Sequence, residues 1–102
     1  MSGSPSRPVR LGGTSVGQIS VACDGDIARL SFSVEPGHLP RAAREALVSA
    51  AFNELASRPA CRVQAALPLG DVDLLTALTR RLSHPTVRAA GHTCLLDATL
   101  PT

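Results

Sequence analysis

The stretch Val34-Glu35-Pro36-Gly37-His38-Leu39-Pro40-Arg41-Ala42-Ala43-Arg44-Glu45-Ala46-Leu47-Val48 decides the fold of this 102-residue chain. An alternating segment ends at Val34, Pro36-Gly37 breaks it, and an apolar stripe at helical spacing begins just beyond. Pro40 suits the first helical position, because the N–H it lacks is one that a helix start leaves unpaired anyway. A strand entering a helix through a short loop brings unpaired amides and the positive end of a helix dipole to one point, and that point favours an anion.

Upstream, Gln18 to Cys23 alternates, with Ile19, Val21 and Cys23 on one face. Asp24-Gly25 marks a tight hairpin, since glycine tolerates positive φ. The return strand, Ile27 to Val34, sets Ala28, Leu30, Phe32 and Val34 against Ile27, Arg29, Ser31 and Ser33. Residues 1–15 are rich in Ser, Gly, Pro and Arg without periodicity and read as a flexible arm. Residues 16–102 then form a single α/β domain.

Downstream, the first helix runs to about Ser57, with Leu39, Ala43, Ala46, Leu47, Ala50, Ala51 and Leu55 near one face, and Arg58-Pro59 stops it. Cys61 to Leu67 alternates, with Cys61, Val63, Ala65 and Leu67 inward. After the turn at Pro68-Leu69-Gly70, Asp71 can cap a second helix carrying Val72, Leu75, Leu78 and Leu82 on one stripe and ending near His84-Pro85. Thr86 to Ala90 and His92 to Leu100 read as a last strand pair or one bent strand, broken at Gly91. The order is ββαβαβ, with an additional C-terminal strand in the paired reading. The first helix is a crossover, so the strands it joins should be parallel while the hairpin adds antiparallel pairing. The fold class is α/β (α+β) with a mixed sheet and two helices.

Composition narrows function. A net charge of +2 does not hold nucleic acid by itself. With Phe32 and Phe52 the only aromatics, base stacking has no platform. No apolar run is long enough to span a bilayer, and the N-terminus has no apolar core of a secretory signal, so neither a membrane nor export is expected and the protein reads as cytoplasmic. All ten basic residues are arginine, a bias associated with a GC-rich bacterial genome.

The element order and the Val34–Val48 junction resemble a GNAT-type N-acetyltransferase, from that family's central hairpin to its C-terminus. In that family a strand ending V-x-P enters the loop Q/R-x-x-G-x-G/A and then a helix. Val34-Glu35-Pro36 matches the first, Leu39-Pro40-Arg41-Ala42-Ala43-Arg44 occupies the loop, and Val63-Gln64-Ala65-Ala66-Leu67-Pro68 is similar to the strand before the next helix. The resemblance implies a mixed sheet whose splayed strand binds the pantetheine arm of acetyl-CoA, with Val34, Gly37, His38, Arg41, Ala42 and Arg44 as the cofactor-binding set. Departures are plain. Leu39 replaces Gln or Arg, Ala42 the first glycine, Arg44 the second small residue and Gly70 the usual Asn. Ala77 falls where a Tyr often acts as general acid. The family's first strand and two helices, which help form its acceptor site, have no counterpart.

The loop electrostatics carry the same tension. Arg41 and Arg44 oppose the helix dipole in the first turn, at about 0.3–1 kcal/mol each, less when solvated. They make sense beside a bound phosphate, or as a solvated face with Arg41 paired to Glu45. A Cβ at position 42 or 44 hinders close approach of a pyrophosphate to the backbone. Cys23, Cys61 and Cys94 lie in alternating strands and read as core residues. His92-x-Cys94 lacks two further ligands for zinc, so no metal is expected. His38 sits in the loop and could act on a bound ligand. No G-x-S-x-G occurs, and the catalytic residues are not identifiable.

An uncovered sheet face or edge would be hidden by a second copy, so a homodimer is expected. Two readings follow: a GNAT-like domain that binds an acyl-CoA or related phosphate-bearing ligand without clear catalytic residues, or a non-enzymatic interaction module that forms a homodimer or binds a protein partner.

Overall fold

The computed structural model describes residues 6–36, 40–57 and 61–101. Six strands form one sheet: β1 (Arg7–Leu11), β2 (Thr14–Asp24), β3 (Ile27–Val34), β4 (Arg62–Pro68), β5 (Ser83–Ala90) and β6 (Thr93–Thr99). Helix α1 (Arg41–Leu55) connects β3 to β4, and α2 (Val72–Thr79) connects β4 to β5. The order across the sheet is β1-β2-β3-β4-β6-β5. Among the described residues only β3 and β4 run parallel, as a crossover through α1 requires; the other neighbours are antiparallel. The expected order ββαβαβ is present, with the paired C-terminal reading and a further strand in front.

Strand alternation builds the core. Ala28, Leu30 and Phe32 of β3, Val63, Ala65 and Leu67 of β4, and Cys94, Leu96 and Ala98 of β6 are buried on one face. Ala43, Leu47, Val48, Ala51 and Leu55 of α1 and Leu74, Ala77 and Leu78 of α2 join them in a single cluster. Both helices therefore cover the same face. The opposite positions, such as Arg29, Ser31 and Ser33, stay exposed.

Residues 7–15 differ from the expected flexible arm. Arg7–Leu11 pairs with β2, and β2 starts at Thr14 rather than Gln18. Val9 alone is buried in β1, so no periodicity announces the strand. Arg7 also pairs with Glu54 of α1. At the β2 irregularity Gly17 is required: a Cβ there would stand 2.1 Å from the Ser33 carbonyl oxygen. The β2–β3 loop is Gly25-Asp26, one residue later than expected, with Gly25 at φ 64°.

Three further expectations shift. Pro40 is the N-cap of α1, with extended backbone, and Arg41 is the first helical residue. Helix α2 ends at Thr79, and His84-Pro85 lies in β5 where the register slips between Ser83 and Thr86; an edge strand tolerates a proline at such a bulge. The buried stripe of α2 is Leu74, Ala77 and Leu78, leaving Val72 67% exposed. Cys94 is buried, Cys23 half-buried and Cys61 exposed, the last because it precedes β4 instead of lying in it. The stop at Arg58-Pro59 lies outside the described residues. No helix among them is long and apolar enough to cross a membrane.

Candidate functional site

The parallel pair opens into a fork. β3 and β4 run together from Ile27–Arg62 to Ser31–Ala66 and then separate. Phe32, Ser33 and Val34 keep their partners on β2, while Leu67 and Pro68 keep theirs on β6. Each prong is thus held by its outer neighbour and has no strand on its inner side. The two helices begin beyond the ends of the prongs, α1 after β3 and α2 after β4.

The start of α1 has the features of an open helix terminus. Pro40 supplies no side-chain cap, and the first turn holds no acidic residue. The Ala43 amide bonds to the Pro40 carbonyl at 2.9 Å. Arg41 and Ala42 are exposed. Among the described residues Arg41 has no ion pair, and Glu45 does not take it.

Arg44 has a different setting from Arg41. Its Nε donates to Asp71 Oδ1 at 2.8 Å and its Nη2 to Oδ2 at 3.1 Å. The same Oδ1 accepts the Leu74 amide at 3.1 Å, which makes Asp71 the cap of α2 as expected. Hydrogen bonding to Asp71 raises the Arg44 pKa against the opposing effect of burial. For Asp71, burial pushes the carboxyl up, but the Arg44 and Leu74 hydrogen bonds and the Arg44 charge together hold it below the ordinary carboxylate value.

Of the six expected cofactor-binding residues, Val34 ends the β3 prong, and Arg41 and Ala42 lie in the first turn of α1. Arg44 is one turn further in, engaged with Asp71. Gly37 and His38, with Leu39, lie outside the described residues. In the sequence Asp71 has one recognisable role, as a cap. A capping carboxylate has a second oxygen, and Arg44, for which the sequence offered no helical partner, was the available signal although it lies 27 residues away. Leu69 and Val72 are both exposed beside the end of the β4 prong. Ala77 is buried in α2. Among the described residues no group of three or more His, Cys, Asp or Glu side chains is placed to hold a metal ion.

No family model and no curated protein matches the chain. Solved structures do. The acetyltransferase of the GNAT family from Streptococcus pneumoniae superposes with a TM-score of 0.61 at 14% identity, over 90% of this chain and 64% of that one. The fold is GNAT-like. A Klebsiella pneumoniae protein assigned as an acyl-CoA N-acyltransferase gives a TM-score of 0.66 at 14% identity, over 92% of this chain and 70% of its own. A Salmonella typhimurium protein assigned as an acetyltransferase, solved with its cofactor acetyl-CoA, gives 0.58 at 17% identity, over 86% and 58% respectively. At these identities the likeness of the GNAT-like domain to its neighbours is one of fold. It lies in the mixed sheet with its parallel pair and two helices.

Proposed function

We propose that this GNAT-like domain binds an acyl-CoA or a related phosphate-bearing ligand. The observation that carries the reading is the fork beyond Ser31 and Ala66. An amide-containing arm such as pantetheine can lie between the prongs and take the place of the missing strand partner. The residues present fit such a ligand. Val34 and the β3 backbone would hold the arm, and the uncapped start of α1 with exposed Arg41 would meet the phosphates. Exposed Leu69 and Val72 offer apolar contact at the other prong. Arg44 is assigned to hold α2 in place through Asp71 instead of binding phosphate. The ligand's chemistry would be that of an activated acyl thioester. Acyl transfer is not part of the proposal, since the chain contains no Tyr and Ala77 carries no acid.

The test is a titration of CoA into the full chain, read by calorimetry and by thermal shift. A ligand at ~100 times its Kd raises stability by about 2.7 kcal/mol. Arg41→Glu is expected to weaken binding about tenfold, through loss of one charge-assisted contact and gain of repulsion. No heat and no shift at millimolar CoA would refute the reading, and unchanged affinity in Arg41→Glu would place the phosphates elsewhere.

A further inference from the structure

The helix-free face of the sheet carries a feature that the fork does not use. A groove of about 310 Å3 is bordered by Arg29, Gln64, Ala66, Thr86, Arg88 and Asp97, among others. A second hollow of about 280 Å3, bordered by Arg62 and His84, shares Thr86 and Asp97 with it. The two run together along β5 and β6, from the Arg88–Leu95 pair to the Ser83–Thr99 pair. Four strand residues cover ~13 Å, so the trough is long enough for a short extended segment.

Its rim is cationic. Arg29 and Arg88 stand on opposite walls, on strands three places apart, or ~14 Å. Neither has an ion pair or side-chain hydrogen bond among the described residues. Asp97 is the one carboxylate bordering the trough, and Arg62 pairs with it at 3.3 Å. The floor between the arginines is Ala66 and Leu95 with the Gln64 amide. The trough also lies over one side of β3–β4, the only parallel pair among the described residues, and sheets of parallel strands are ordinarily covered on both faces.

We propose that this trough docks an extended acidic segment of a partner polypeptide, with carboxylates on Arg29 and Arg88 and an apolar side chain over Ala66 and Leu95. The sign of the rim selects an acidic occupant. The shape selects a segment of a larger molecule, because a small ligand is normally enclosed over most of its surface and this trough is open along its length. A second copy of the chain is the poorer occupant: face to face, each copy would meet two free arginines with a carboxylate already paired. The proposal stands whether or not the fork binds CoA.

The experiment is fluorescence anisotropy of a labelled peptide of alternating glutamate and leucine, titrated with the full chain. Saturable binding is expected. It should weaken as salt rises, because the screening length falls from ~10 Å at 0.1 M to ~3 Å at 1 M. Arg29→Glu with Arg88→Glu should weaken it at least about tenfold, and Arg29→Gln with Arg88→Gln by less. Both positions are exposed, so the fold is retained. Arg10→Glu with Arg80→Glu, the same charge change away from the trough, should leave it within about twofold. Equal weakening by both glutamate pairs would reduce the effect to general attraction and overturn the proposal. So would the absence of saturable binding, full competition by free glutarate, or association with anionic vesicles alone.

Discussion

Asp71 serves two elements with two oxygens. Oδ1 accepts the Leu74 amide and Arg44 Nε, while Oδ2 accepts Arg44 Nη2, with side chains only 9% exposed for Asp71 and 18% for Arg44. Asp71→Ala removes a cap worth about 0.5–2 kcal/mol and strands a half-buried guanidinium. We expect a loss of about 2–3 kcal/mol, or roughly 10–20 °C in melting temperature for a domain of this size. Asp71→Asn keeps an oxygen for Leu74 and should lose about half as much. The pH dependence follows from the lowered Asp71 pKa. Its stabilisation is fully present above the unfolded value, about 3.9, and is lost as pH falls through the lower folded value. Denaturant midpoints of the parent should therefore fall more steeply below about pH 4 than those of Asp71→Asn. Parallel curves would mean that the carboxylate contributes no differential stability. Arg44, with its pKa raised, stays charged throughout this window.

At the scale of elements, β3, β4 and α1 were legible because their patterns admit one reading. Ala28, Leu30 and Phe32 alternate without interruption, and α1 repeats small and apolar residues at helical spacing. Helix α2 was harder to read. Val72, Leu74, Leu75, Ala77 and Leu78 crowd a helix of eight residues, and such a run offers more than one buried stripe. The contacts that set its rotation are long-range, above all the tie from Asp71 to Arg44. Leu74→Ala should therefore lower stability by about 2–5 kcal/mol, and Val72→Ala by about 0.5 kcal/mol at most. Chemical denaturation of the two variants checks this, and the reverse ranking would restore the Val72 stripe. β1 escaped notice because an edge strand with one inward residue has no period to detect. In the candidate site, the strand end and helix start were visible from Val34-Glu35-Pro36 and Pro40. The divergence of the prongs was implied only by the family resemblance, because a local sequence pattern does not encode where a pairing register stops.

At the scale of the molecule, the sheet consists of two antiparallel leaves, each continuous in sequence. β1, β2 and β3 form one, and β4, β6 and β5 the other. Within each leaf the strands are linked locally, by hairpins or by α2, whereas among the described residues the strands of the two leaves pair with each other only between β3 and β4, over five residue pairs. That junction depends on contacts distant in sequence, which form at greater entropic cost than local ones. The two leaves are accordingly expected to behave as separate cooperative units when the domain opens. Hydrogen exchange should find the β3–β4 amides and the α1 amides releasing together, ahead of those inside either leaf. Uniform protection across all six strands would contradict this. The fork is thus also the visible start of a seam. A ligand spanning its prongs would clasp the two leaves together, and its grip would be felt as slower opening along the whole seam.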